Sequence, residues 1–299
     1  MNLKKPAILS ISLLTILMNA AIVPLLSQVS AAFYEGEERK KAIGASFFAA
    51  NLSAMVLPLI GATLAETNWR YAFVVYGVAL LVLVFTALFI PNREKLQRNS
   101  EFRLFYVSRT VLLAASGYFF VTMLFLSLPS NISVFLESEN IGTPSTVAWI
   151  NSSSTMVSMF VSLSFARIYS IFKDRIFSVG LLLCGLGFAT IAFSHGLPAV
   201  LLGKVLIGST MGMLHPFFSY KVTQSTPKEH ATSALSLVNS GFRMGTFVSP
   251  LFFFGANSLL GITTIRGEFT LVSMVLLGAM VVFTFLFQYS RKKAPEKAL

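Results

Sequence analysis

A single cysteine, Cys184, occurs in 299 residues, and one thiol can close no intramolecular disulfide and build no thiolate metal cluster. Charge is scarce as well: Asp, Glu, Lys and Arg make up 12% of the chain, too little to cover a water-soluble domain. The twelve acidic residues all fall in loops, at the ends of apolar runs or in the tail, so no apolar run is expected to carry an embedded carboxylate. Walker sequences, H-E-x-x-H, the nucleophile elbow and glycine-rich dinucleotide loops are missing, which argues against an enzyme and against a bound cofactor or metal.

What the chain has in abundance is apolar length. Hydrophobic residues make up 55% and the mean hydropathy is +0.74. A helix needs about 20 apolar residues to cross ~30 Å of hydrocarbon, and runs of that kind lie at 7–31, 43–65, 71–90, 108–130, 145–166, 177–195, 197–219, 232–256 and 269–289. The expected fold class is therefore all-α, a polytopic membrane helix bundle of about nine transmembrane helices whose surrounding partner is the lipid bilayer. The net charge of +11 sits in short loops and tails, where it orients helices, so nucleic acid is not an expected partner.

Lys and Arg alternate from loop to loop. Arg93, Lys95, Arg98, Arg103 and Arg109 form one rich group; Arg167, Lys173 and Arg175 a second; Lys221 and Lys228 a third; and Arg291, Lys292, Lys293 and Lys297 the tail. The intervening loops hold only Arg70 and Arg266. The positive-inside rule then puts the rich loops and the C-terminus in the cytoplasm, and requires Glu35–Lys41 to lie there too. Lys4 and Lys5, ahead of the first apolar run, normally hold an N-terminus inside and would send Glu35–Lys41 outside, so one crossing has the wrong parity. Reading residues 1–32 as a secretory signal ending at Ser30-Ala31-Ala32 leaves that conflict in place, because the new N-terminus would also be outside.

An internal repeat bears on the conflict. Ser53-Ala-Met-Val-Leu-Pro58 parallels Gly245-Thr-Phe-Val-Ser-Pro250, a small residue followed after three positions by X-Pro. Each copy is followed by an arginine with a phenylalanine three residues on, Arg70/Phe73 and Arg266/Phe269. Pro250 lies 192 residues after Pro58, whereas the weaker pair Pro24 and Pro129 is separated by 105. The front copy is thus 87 residues short, about three helices at roughly 20 residues per span plus a loop. An odd number of lost crossings would produce the parity conflict.

These residues resemble the major facilitator superfamily, in particular its drug:proton antiporter-like exporters, whose twelve helices form two six-helix halves. Ser53-Ala-Met-Val-Leu-Pro58-Leu-Ile-Gly61-Ala62 is similar to the antiporter motif GxxxGPxxGG of the fifth helix, with Pro58 and Gly61 matching, Ser53 and Ala62 as small substitutes and Leu57 departing. Leu201-Leu-Gly-Lys204-Val-Leu-Ile-Gly208 resembles the RxxxG helix motif in its second-half copy, and Ala166-Arg167 through Asp174-Arg175 a degraded copy of the gating loop. The resemblance implies small-molecule or drug efflux by alternating access, an antiporter with the proton as coupling ion, and a multi-pass protein of the cell membrane.

Several residues are candidates for the transport machinery. Small residues let helix backbones approach and slide, which singles out Ser53, Pro58, Gly61, Ala62, Gly241, Gly245 and Pro250; ordinary membrane-helix packing is the alternative. Arg243 lies mid-span, where an unpaired guanidinium costs ~2.5–3.5 kcal/mol on insertion scales, so a cavity, a partner or an anionic substrate should face it. Lys204 lies about two turns from a span end and has room to snorkel. His215 is the one group inside a span that titrates near neutral pH, a proton carrier or a hydrogen-bonded bundle residue. Asn19, Asn131, Asn151 and Asn239 are candidates for a polar cavity or for helix-to-helix hydrogen bonds.

The organisation expected is an incomplete N-terminal bundle over 1–92 with about three helices, a cytoplasmic linker at 93–106, a six-helix C-terminal bundle at 107–290 and a basic cytoplasmic tail at 291–299. The function expected is that of a major-facilitator transporter of an unidentified small molecule, impaired by the missing helices. The rival is a non-transporting membrane remnant, or a subunit that pairs with another transporter chain.

Overall fold

The computed structural model describes residues 34–67, Gly77, 107–142, 144–227 and 230–293, with the side chains at 57–59, 61–63, 65–67, 144–145 and 286–293 left out. Apart from the isolated Gly77, these residues form seven helical rods, two of them broken, and no strand. In chain order the helices are α1 (Gly36–Thr67), α2 (Arg109–Phe125) continuing as α3 (Ser127–Ser138), α4 (Pro144–Leu163) continuing as α5 (Phe165–Phe172), α6 (Ile176–Ala192), α7 (Leu197–Ser225), α8 (Ala231–Leu260) and α9 (Ile265–Lys293). Seven of the nine expected spans coincide with these rods. Those at 7–31 and 71–90, together with Asn19 and the linker at 93–106, lie outside the described residues, so the count of nine is not decided by the structure.

Local chemistry explains the boundaries. Ser108 caps α2, its hydroxyl accepting a bond from the Val111 amide at 3.2 Å. Pro129 has no amide to offer the Phe125 carbonyl, and the rod breaks at Leu126 between α2 and α3. Lys173, with a positive φ of 50° and ψ of −127°, turns the chain from α5 into α6. Gly261 (φ 65°, ψ 27°) closes α8 in the left-handed helical region, where a side chain would be strained. Pro198 sits in the first turn of α7, where no amide bond is lost.

Among the described residues, four stretches are long and apolar enough to cross a membrane: Arg109–Ser138, Phe165–Ala192, Leu197–Ser225 and Ile265–Phe285. Phe165–Ala192 contains the Lys173 turn, so its apolar rod is α6 alone. Residues 109–293 pack as one bundle, with α8 against α2, α7 against both α4 and α6, and α9 against α6. The first described helix, α1, lies across α4, α7 and α5.

Glycine sets the helix separations. A Cβ on Gly241 or Gly245 of α8 would stand 2.5 Å from the backbone oxygens of Ala115 and Phe119 on α2, one turn apart on both helices. Gly208 and Gly212 of α7 meet the Ser154 and Ser158 carbonyls of α4 in the same way. The backbones therefore touch directly, which is how membrane helices gain dispersion contact where no hydrophobic drive separates protein from lipid. Gly241 and Gly245 were expected at a helix interface and are found at one; the Gly208/Gly212 seam was not anticipated.

Candidate functional site

Two polar clusters interrupt the apolar bundle. The first lies where α1, α2, α7 and α8 converge. His215 of α7 is hydrogen-bonded through Nδ1 to the Tyr118 hydroxyl of α2. Three rings surround the imidazole: Tyr118 edge-on at 5.4 Å between centroids, Phe242 of α8 at 5.6 Å and Phe47 of α1 at 5.7 Å. Pro216 follows His215, so the Gly212 carbonyl has no helical amide partner at this point of α7. Next to Phe242 is Arg243, whose guanidinium is exposed and has no ion pair or hydrogen bond among the described residues. The arginine is close enough for its charge to be felt by both His215 and Tyr118. Tyr118 carried no signal in the sequence, since a tyrosine in an apolar run is equally at home at a membrane interface.

The second cluster lies at the end of the bundle formed by α3, the C-terminal part of α8 and the start of α9. Glu268 lies at a span end, as expected of the acidic residues, but it is buried there, only 7% exposed. It is in the first turn of α9, but α3 and α8 close over it. Its Oε1 accepts from the Ser127 hydroxyl at 2.5 Å and the Asn131 amide at 2.9 Å, and its Oε2 from the Asn257 amide at 2.6 Å. Asn131 is thus the one expected cavity asparagine that the described residues gather into a shared polar site. Beside the carboxylate is a cavity of about 240 Å³ that Pro250 also lines.

The other expected residues are dispersed. Asn239 donates to the Leu235 carbonyl of its own helix, and Asn151 is exposed on α4, its carbonyl accepting from Thr155. Ser53 is exposed and bonded back to Ala49, while Pro58, Gly61 and Ala62 lie within α1 with undescribed side chains. Lys204 does not snorkel: it is 5% exposed, beneath α4, where Ser154 donates to its carbonyl. Asp174 pairs at 2.6 Å with Lys221, which lies within α7 rather than in the expected loop. Arg175 precedes α6 without a side-chain capping bond, and the Arg167 carbonyl accepts from Ser170.

The two ends of the bundle are fastened differently. At the end carrying Asp174 and Lys173, Lys40 of α1 is buried against Tyr169 and Tyr220 and ion-paired with Glu37, and Arg39 donates to the Thr223 carbonyl. Glu35–Lys41 therefore lies at the same end as the basic loop 167–175. At the opposite end Arg266 holds Glu139 through two bonds, at 2.7 and 3.2 Å, and also donates to the Ala192 and Ser194 carbonyls. The guanidinium hydrogen bonds, and then its charge, hold the Glu139 carboxyl below the usual carboxylate range.

Comparison with known proteins agrees with this architecture. The Major Facilitator Superfamily profile matches residues 6–138 and again 110–299. Among solved structures, the crystal structure of the human organic anion transporter MFSD10 (TETRAN) is similar with a TM-score of 0.70 and 17% sequence identity, over 87% of this chain and 67% of that one. At that identity the likeness speaks for the fold. No curated protein matches in sequence. With the family profile matched along nearly its whole length, this multi-pass membrane chain belongs to the Major Facilitator Superfamily of transporters.

Proposed function

We propose that the chain handles a small organic molecule carrying negative charge, bound at the first cluster with Arg243 as its electrostatic anchor. The observation that carries this reading is the exposed, unpaired guanidinium in the middle of α8, next to an aromatic cage formed by Tyr118, Phe242 and Phe47. A charge placed there is costly unless something meets it, and apolar walls with a few convergent polar groups are what a small-molecule site requires. The human structural neighbour is described as an organic anion transporter, and an anionic cargo is what Arg243 would select. His215 and Tyr118 offer one shared hydrogen bond that a bound anion could compete for.

The finer reading follows the sequence. The motif around Ser53 and Pro58 supports an efflux exporter of antiporter ancestry in the cell membrane, with Glu35–Lys41 and the C-terminus cytoplasmic. His215 is the candidate proton carrier. Repeat spacing and loop charge both support a front half three crossings short, and such a half-walled site should bind substrate better than it moves it. We therefore expect the purified chain to bind 6-carboxyfluorescein, with Arg243→Ala at least tenfold weaker and Arg243→Lys in between. Liposomes containing the chain should show little proton-driven dye movement. Binding that ignores Arg243 would remove the anchor from the reading, and vigorous coupled transport would remove the lost crossings.

A further inference from the structure

The Glu268 cluster is built differently from the Arg243 cluster and lies about 21 Å farther along α8, from the 14-residue separation of Arg243 and Asn257 at ~1.5 Å per residue. We infer that it is a binding site for a compact monovalent cation, either an inorganic ion or the ammonium group of a small primary amine.

The polar inventory is unbalanced. Glu268 receives three hydrogen bonds, all from neutral groups, and no Lys or Arg pairs with it among the described residues. Arg266, two positions away, spends its guanidinium on Glu139 and the Ala192 and Ser194 carbonyls. A buried carboxylate served only by neutral donors keeps an uncompensated charge, an arrangement that is costly unless a cation completes it. The amides of Asn131 and Asn257 are both committed to the carboxylate, which leaves their carbonyl oxygens as acceptors. The Asn257 Oδ1 is buried without a hydrogen-bond partner among the described residues, an orphan of the kind that signals an unplaced donor or ion. Ser130 and Ser249 add two hydroxyls to the cavity wall.

Pro250 contributes through the backbone, because without its amide the Thr246 carbonyl has no helical partner. The site therefore offers several acceptor oxygens, and both of its amide groups already donate to the carboxylate. One carboxylate and neutral oxygens suit a single positive charge; calcium or magnesium sites of high affinity use more carboxylates or keep several waters. The roughly 240 Å³ of space admits a small ion with water or a short alkylammonium.

The test is thermal unfolding of the full chain in detergent at constant ionic strength, exchanging N-methylglucamine chloride for sodium chloride or methylammonium chloride. Mass action on a native-state site predicts a Tm that climbs by a few degrees for each tenfold increase above Kd. A rise with sodium alone assigns an inorganic ion, and a rise with methylammonium alone assigns an amine head. Glu268→Gln should abolish the rise, Asn257→Leu should weaken the apparent affinity at least tenfold, and Arg243→Ala should keep it while losing anion binding. Equilibrium dialysis of radiolabelled sodium and methylammonium against the unmodified chain decides the matter even where Glu268→Gln does not fold. Absence of saturable binding for both, or a Tm response that survives in Glu268→Gln, overturns the inference.

Discussion

The ammonium of Lys40 stands 4.8 Å from the centroid of the Tyr169 ring and 5.8 Å from that of Tyr220, two rings that themselves meet edge to face at 4.8 Å. This joins α1 to α5 and α7 at the end of the bundle that carries the basic loop 167–175. A desolvated cation over an aromatic face is worth up to about 2 kcal/mol, and Lys40 is 8% exposed.

Lys40→Ala should therefore lower stability by about 1–2 kcal/mol, and Tyr169→Phe, which keeps the ring face, by much less than Tyr169→Leu. Unfolding in detergent followed by near-ultraviolet circular dichroism makes the comparison. Equal losses in the two Tyr169 variants would mean that the ring contributes packing and not its π face.

Since Lys40 touches the same end as Ser170 and Lys173, cysteines introduced at Gly36 and Ser170 in a Cys184→Ser background should react with an impermeant maleimide from the same face of the membrane. Labelling from opposite faces would contradict the docking of α1.

The α8–α2 seam should not tolerate bulk. Gly245→Leu places a side chain where even a Cβ would meet the Phe119 carbonyl at 2.5 Å, and overpacking of this kind costs typically 1–3 kcal/mol. Gly255 on the same helix has nothing within 4 Å, so Gly255→Ala should be neutral or slightly stabilising, because it restricts the unfolded chain at a helical position. A melt in which the two behave alike would refute the close approach.

Tyr118→Phe removes the hydroxyl that serves His215 and leaves an imidazole nitrogen inside the bundle without its partner. Such a loss costs about 1–3 kcal/mol. His215→Phe should be milder in the Tyr118→Phe background than alone, since the two groups answer each other, and a double-mutant cycle in chemical unfolding measures the coupling. Strict additivity would show that the hydrogen bond carries no energy.

The Arg266–Glu139 pair sets a pH dependence whose sign follows from the lowered carboxyl pKa. Its contribution is complete above the unfolded glutamate value of about 4.3 and is lost as pH falls through the lower folded value. The Tm difference between the unmodified chain and Arg266→Ala should therefore narrow below pH 4. Because the pair is partly exposed, salt should narrow it as well. A gap that is constant down to pH 3 would place the effect in the Ala192 and Ser194 carbonyls instead.

Each described rod was legible in the amino-acid order, because a membrane demands about 20 apolar residues per helix and proline, glycine and serine mark where Pro129, Gly261 and Ser108 break or cap them. The common end shared by Glu35–Lys41 and the 167–175 loop was legible for a related reason: loop charge has a direction, and Lys40 meets Tyr169 where that direction pointed. Arg243 stood out as a cation in the middle of an apolar run, and the structure leaves it exposed on α8. Lys204 did not follow the same logic, since snorkelling depends on whether α4 lies over the stem.

Linear order alone thus determined the class of protein, its helices and the lone charge of Arg243, because hydropathy and charge are properties of short segments. Only the tertiary structure decided that Tyr118 would meet His215, that Gly241 and Gly245 would seat α8 on α2, and that Glu268 would be enclosed by Asn131 and Asn257. Tyr118 and His215 are 97 residues apart, Gly241 and Ala115 126, and Asn131 and Glu268 137, while Asn257 is only 11 from Glu268 but on another helix; what brings them together is the rotation of each helix about its own axis, which backbone contact at the glycine seams sets.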